Sequence, residues 1–528
     1  MTQKPLSVLL EMRPALDGYA GIPQETRLLY RALCKADLVA VDGLLQTSLR
    51  FIEPGMPILP ESNDGADNHI RVNRYSRVVI AIDSKPSAAW IEQAKLFLKR
   101  RRVSWALCCA TFAKPKRGVA LTTFESRHFK NFIWQALFAK SLPFEDFELV
   151  TSKTFRICTI PWNVFQSSGL LALKFGKRAT YPMLDTRGFD IFIAQTPYPG
   201  RVDASTALVI RYHDALPILM PNLFANKSRH QATHYHALLS NVRNGAYFAC
   251  VSEATRADLL QIFPELGDRA VTIPNIVSHH FYDEESSLSL ASGVIRSRLN
   301  INAVEAGPAF GTLAEKEIFY ATHLGSENLR YLLMVSTIEP RKNHVQLIAA
   351  WERLRATTDP SLKLVFVGNL GWDTGPIMKA MRSWIDRGAI FVLNGVPADD
   401  LRVLYRHAAA TICPSLAEGF DFSGIECMRS GGIAIASDIP VHREVYGNAA
   451  VYFAPYDVVG LAKSLGDTLY SADTTQICNT LRASGFKVSE KYLERAILPE
   501  WERFLARVVE APCDGERARL VSPPLVDR

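Results

Sequence analysis

Two stretches of the chain alternate short, unbroken apolar runs with longer segments whose apolar residues recur every three or four positions. Unbroken runs suit strands buried on both faces, and the longer period suits helices laid across them. Both stretches therefore predict parallel α/β sheets. In the first, strands are expected at 7–10, 78–82, 191–194, 208–212, 247–251 and 271–273. A helix over 24–36 carries Leu28, Leu29 and Leu33 on one face, and a helix over 253–263 has Ser252 as N-cap. In the second, strands at 331–336, 362–367, 390–393, 410–413, 433–436 and 451–453 alternate with helices at 344–354, 375–386, 398–407, 422–429, 441–445 and 458–470. Between the two, 284–328 lacks a strong period and is rich in Ser, Gly, Ala and Asn, the composition of a linker that could hold a short helix.

The predicted organisation is a first domain over 1–283 with a basic insertion near 95–180, a linker over 284–328 and a second domain over 329–485. A C-terminal helix over 486–510, crossing back to the first domain, and a disordered tail over 511–528 complete it. The expected fold class is α/β, with two Rossmann-like parallel-sheet domains facing a central cleft. Ligands of such sheets bind outside the carboxyl ends of the strands.

Composition narrows the class. With 48% hydrophobic and 21% charged residues over 528 positions, the chain can bury two full cores, which excludes a fibrous or largely disordered protein. Its nine cysteines form no CxxC pair and no metal spacing with histidine, so free thiols in a reducing compartment are expected, with no metal and no cofactor. The apolar run 6–10 ends at Glu11, too short for a signal segment, and no run approaches the ~18 residues of a membrane span. A cytoplasmic protein, at most peripheral at the inner face of the cell membrane, is expected. The net charge of +7 is uneven, because 95–140 holds eleven basic residues against Glu125 alone and the rest of the chain is near neutral.

Candidate chemistry concentrates at three strand-to-helix junctions of the second stretch. The segment Pro414-Ser415-Leu416-Ala417-Glu418-Gly419-Phe420-Asp421-Phe422-Ser423-Gly424-Ile425-Glu426 sets two glutamates eight positions apart around a helix start. A helix N-terminus offers unpaired N–H groups and a positive dipole end to a diphosphate, and carboxylates accept from sugar hydroxyls. Upstream, Glu339-Pro340-Arg341-Lys342-Asn343 brings two cations to the same sheet edge. Downstream, Ser437-Asp438-Ile439-Pro440-Val441-His442-Arg443-Glu444 follows another strand.

In order and spacing these segments resemble the retaining nucleotide-sugar glycosyltransferases of family 4, group 1 glycosyltransferases of GT-B fold. The resemblance is strong over about 330–470 and weaker over 1–280. It implies that Lys342, with Arg341, binds the donor diphosphate. It implies that Glu418 and the backbone N–H groups of Gly419, Phe420 and Asp421 hold the transferred sugar, with the helix start at Phe422 facing the leaving group. Glu426 would accept from the ribose, and Gly395 and Val396 would lie against the base. In the first domain Arg211-Tyr212-His213-Asp214 matches a strand-end pair that sets His213 near the reacting sugar, and Gly18 and Gly21 match a loop that approaches the donor phosphate or the acceptor. The catalytic residues implied are thus His213, Glu418 and Lys342. Three departures stand out: Asp421 where the family usually has glycine, Asn275-Ile276 in place of Asn-Gly, and Ser336 where an arginine is common.

The implied reaction moves a hexose, mannose or rhamnose, from a nucleotide-sugar donor to a glycan or lipid-linked glycan acceptor in surface polysaccharide synthesis. Configuration would be retained, by front-face departure and attack. A nucleotide-sugar epimerase or hydrolase on the same fold, or a non-catalytic carbohydrate-binding protein, is the alternative. The basic segment 95–140 interleaves its charges with Phe97, Trp105, Phe112, Phe124, Phe129, Phe132, Trp134 and Phe138. It is read as contact with an anionic membrane, or as a solvated basic face over an ordinary core. Nucleic acid is not expected as a partner.

Overall fold

A computed structural model describes residues 4–16, 18, 21–57, 68–84, 89–299, 307, 308, 310–325 and 329–510. The expected tail 511–528 lies outside them. Two sheets form, each with apolar clusters on both faces.

The first sheet has eight strands: β1 Leu6–Glu11, β2 Val39–Leu45, β3 Thr122–Glu125, β4 Thr154–Ile157, β5 Ile191–Ala194, β6 Ala207–Tyr212, β7 Tyr247–Cys250 and β8 Ala270–Thr272. Their order is β3-β4-β2-β1-β5-β6-β7-β8, parallel except that β3 runs antiparallel to β4 at the edge. The second sheet has six strands: β9 Tyr331–Val335, β10 Lys363–Val367, β11 Ile390–Leu393, β12 Ala410–Cys413, β13 Ala434–Ser437 and β14 Ala450–Phe453. Their order is β11-β10-β9-β12-β13-β14, all parallel. In both sheets the strand order reverses beside the first strand, β1 or β9, and such switch points open the crevice where ligands of α/β sheets bind.

Four expectations are corrected. The run 78–82 is not a strand but part of the helix Asn68–Asp83. That helix buries Tyr75, Val78 and Ile82 at helical spacing and leaves Ile80 66% exposed, so tertiary packing overrides the strand propensity of the β-branched run. Strands β2, β3 and β4 were not expected; β3 is the four-residue edge strand and β4 the four-residue strand beside it. The stretch 95–180 is not a separate insertion, since it supplies β3, β4 and the helix Trp162–Leu171 of the first domain. The stretch 284–328, expected as a linker with a possible short helix, holds two helices. Helices Leu288–Arg298 and Leu313–His323 bury Ala291, Ile295, Tyr320 and Leu324 against the second sheet.

The last helix, Glu494–Glu510, lies in the core of the first sheet through Ile497, Trp501, Phe504, Leu505 and Val508. Its base is anchored by Glu494, which pairs with Arg31, while Arg31 also meets Asp146 at 2.5 Å. The chain therefore crosses between domains twice, once after β8 and once before this helix. Most aromatics of the basic segment are core too. Phe124, Trp134 and Phe138 are buried, and Phe129 and Phe132 pack against the same cluster.

Candidate functional site

The carboxyl ends of the two sheets face one another across a cleft of about 470 Å³. Gly18, Gly21, His213, Arg341, Lys342, Gly395, Val396, Glu418, Gly419, Phe420, Asp421, Phe422 and Glu426 all line it.

The cationic pair arises from a short turn, Pro340–Lys342, which Asn343 ends in the left-handed region (φ 62°) before the helix His344–Thr357 begins. Asn343 ties that turn to the neighbouring loops by donating to the Pro414 and Pro455 carbonyls at 3.2 and 3.1 Å. Both cations converge on Glu418. Arg341 Nη1 donates to its Oε2 and to the Ala417 carbonyl, each at 2.7 Å, and Lys342 Nζ donates to its Oε1. Arg341 also holds Glu339 at 2.9 Å. Burial by itself raises a carboxyl pKa, yet the two cations outweigh it at Glu418 and hold that group below its ordinary value. At Glu339 burial wins and the carboxyl is raised. Two cations thus face two carboxylates, of which Glu418 is held in its ionised form.

The turn after Glu418 joins the domains. A Cβ on Gly419 would lie 1.7 Å from the backbone oxygen of His213, so only glycine admits this approach. Ser252 Oγ donates to the Gly419 carbonyl at 2.8 Å while capping the helix Glu253–Ile262 through Thr255 N–H. Glu444 of the second domain accepts from the Glu253 and Ala254 N–H groups at 2.6 and 2.9 Å, a second cap supplied across the interface.

Asp421, the departure from glycine, points its carboxylate inward rather than at the cleft. It caps the helix Phe422–Arg429 through Ser423 N and Oγ, and its Oδ2 lies 3.3 Å from Nε2 of buried His442. These contacts overcome burial and keep the Asp421 carboxyl well below its usual range. His442 was not singled out from sequence; its partner lies 21 positions away, with no local signal joining them.

His213 is neutral: burial, then the nearby Arg211 charge, lower its pKa to about 3. Among the described residues its Nε2 is buried without a hydrogen-bond partner. Arg211, fully buried, fixes that strand end by holding Glu25 at 2.9 Å and Asn275 Oδ1 at 2.6 Å, which gives Asn275 a structural role despite the missing glycine after it. Asp214, beside His213, has a pKa raised by burial. Gly18 and Gly21 have φ of 63° and 71°, and Arg27 holds the Gly18 carbonyl at 2.8 Å. Gly395, at φ 61°, receives Arg298 Nη1 on its carbonyl at 3.2 Å.

Glu426 is 4% exposed, and burial raises its pKa to about 7. Its two oxygens accept from Gln24 Nε2 at 2.7 Å and Tyr405 OH at 3.2 Å. Gln24 was read only as the start of a helix; its role at the cleft depends on a partner 402 positions away.

Residues 316–479 match the family model of glycosyl transferases group 1. The chain is 27% identical over 181 residues to O-antigen chain mannosyltransferase B of Escherichia coli, a match covering 34% of this chain and 45% of that one. It is 33% identical over 138 residues to the serotype-specific mannosyltransferase WbdA of Escherichia coli, covering 26% and 17%. The chain thus spans less than half the length of these relatives. In fold it is similar to sucrose-phosphate synthase from Thermosynechococcus elongatus, with a TM-score of 0.53, 14% identity, and coverage of 96% of this chain and 100% of that one. The architecture is GT-B, and the match to the group 1 model falls mostly on the second domain.

Proposed function

We propose that this group 1 glycosyltransferase moves mannose from a nucleotide-sugar donor to a glycan or lipid-linked glycan acceptor in surface polysaccharide synthesis. The observation that carries the reading is the convergence of Arg341 and Lys342 on Glu418, beneath the Gly419–Asp421 turn and the start of helix Phe422–Arg429. Mannose is favoured over rhamnose because the relatives that the chain matches are named mannosyltransferases.

Transfer builds positive charge at the anomeric carbon and negative charge on the departing diphosphate. Lys342, Arg341 and the helix N-terminus stabilise the second of these. Glu418 orients both cations and accepts from sugar hydroxyls, while neutral His213 offers Nε2 to the sugar from the opposite domain. Glu426 accepts from the ribose, and Gly395 and Val396 lie against the base. The acceptor attacks from the face the diphosphate leaves, with configuration retained. The test is turnover of GDP-mannose against UDP- and dTDP-sugars, with the product's anomeric configuration read by NMR. An inverted product rejects the retaining step, and consumption of donor without acceptor favours an epimerase or hydrolase.

The first domain presents a surface suited to an anionic membrane, where a lipid-linked acceptor would sit. Helix Trp90–Ala113 exposes Trp90, Ile91, Phe97 and Leu98 beside Lys95, Lys99, Arg101 and Arg102. Among the described residues no helix is long and apolar enough to cross a membrane. Co-sedimentation with anionic but not neutral liposomes, weakened by salt, tests this contact.

A further inference from the structure

Gln24 stands three residues after Gly21, in the first turn of the first-domain helix Ile22–Lys35. Its side chain reaches across the cleft to the second domain and donates to Glu426 Oε1 at 2.7 Å. Both residues are buried, at 9% and 4% exposure, and both line the cleft. Tyr405 OH holds the other oxygen of the same carboxylate. Each Glu426 oxygen thus already accepts one hydrogen bond, and a ribose diol that donates to this carboxylate competes with Gln24 at Oε1.

We propose that Gln24 is an internal stand-in for the ribose of the nucleotide. It satisfies the buried Glu426 carboxylate until a nucleotide enters, and gives way when the 2′ and 3′ hydroxyls take its place. This rests on the assignment of Glu426 to the ribose. The chemistry of an amide suits the role. An arginine here would form a lasting ion pair and exclude the sugar, and a serine on the same helix is too short to reach. A primary amide donates well enough to offset the burial of a carboxylate, yet carries no charge to hold it. Gln24 is then a positioning residue that sets nucleotide affinity, weakening it by the strength of one hydrogen bond and so easing release of the nucleoside diphosphate.

Gln24 is not what holds the domains together. Ser252 on the Gly419 carbonyl, Glu444 on the Glu253 and Ala254 N–H groups, and Trp372 Nε1 on the Leu223 carbonyl at 3.1 Å bridge the domains independently. Removing the amide leaves those bridges intact, so its effect is read as affinity rather than as opening.

The experiment is calorimetric titration of the full chain with GDP and UDP and with their 2′,3′-dideoxy forms, for wild type, Gln24→Ala and Gln24→Asn. The asparagine variant keeps an amide but loses the reach. Both variants are expected to bind the ribonucleotide about tenfold more tightly than wild type, with the dideoxy form changed by less than about twofold. Melting temperatures check that the variants fold. Weaker or unchanged ribonucleotide binding overturns the proposal, as does an equal shift for both forms. If wild type binds both forms equally, Glu426 does not read the ribose and the proposal falls with that assignment. If wild type binds no nucleotide, the glycosyltransferase reading itself is rejected.

Discussion

Replacing Lys342 by alanine isolates one half of the cationic pair. Its ammonium sits on Glu418 Oε1, while Arg341 holds Oε2 from the other side at 2.7 Å. After the substitution Glu418 keeps Arg341, so no buried carboxylate is left alone, and the folding cost is expected to stay near ~1 kcal/mol. The catalytic cost is larger. A charge about 4 Å from the leaving diphosphate, at an effective dielectric near 20, is worth about 4 kcal/mol before solvent and the remaining arginine compensate. Loss of one strong electrostatic donor elsewhere costs about 3–4 kcal/mol, so ~2–4 kcal/mol is expected here, a fall of about 30- to 1000-fold in kcat/KM. Glu418→Ala is expected to cost a similar ~2–4 kcal/mol for a different reason: both cations lose the carboxylate that aims them, and Arg341 keeps only Glu339 and the Ala417 carbonyl. The double variant should lose less than the sum, since the residues act as a unit. The assay is transfer from labelled donor at limiting concentration, with thermal melts as the control for folding. Near-wild-type turnover in folded Lys342→Ala and Glu418→Ala proteins would remove the diphosphate assignment.

Three further outcomes are expected. Because burial sets the Glu426 pKa at about 7 and hydroxyl donors favour its ionised form, donor affinity should fall as pH drops below 7, by up to about tenfold per pH unit. Titration with GDP-mannose, whose diphosphate does not titrate there, should show this in wild type and a flat profile in Glu426→Gln. The same raised pKa gives a stability contribution present below the ordinary carboxyl pKa and lost as pH rises through about 7, visible in melts of the two proteins. Gly419→Ala places a methyl against the His213 carbonyl, displacing one domain from the other; turnover should fall about a hundredfold while each domain stays folded by circular dichroism. His442→Ala leaves the buried Asp421 carboxylate short of a partner and should cost about 1–3 kcal/mol in urea unfolding, with unaltered stability refuting the coupling.

Much of the second domain was legible in the chain itself. The helices Gly375–Asp386, Ala398–His407, Phe422–Arg429 and Val458–Tyr470 and the strands β11 and β12 fall at the expected boundaries, because period, glycine placement and strand burial agree there. The polar residues of the three strand-to-helix junctions were legible for the same reason: a parallel sheet sends every strand's carboxyl end to one edge, so junction residues meet whatever lies between. The first domain was less legible. The run 78–82 has strand-like residues yet lies in a helix, and β3 and β4 form only because a neighbouring strand edge is there to pair with. The aromatics at 124, 129, 132, 134 and 138 look alike in sequence whether they face lipid or core, and packing decides for the core.

What the order of residues determined, then, is the pair of parallel sheets and the set of groups brought to their edges, since local period and junction chemistry are properties of neighbours along the chain. Only the tertiary structure decided which of those groups touch. Gln24 with Glu426, Asp421 with His442, Glu444 with the helix at Glu253 and Gly419 with His213 are partners 21 to 402 positions apart. Each pairing depends on how the two sheets are set against one another or how loops cross a sheet edge, and no local pattern encodes a distance between residues that meet only when the whole chain has folded.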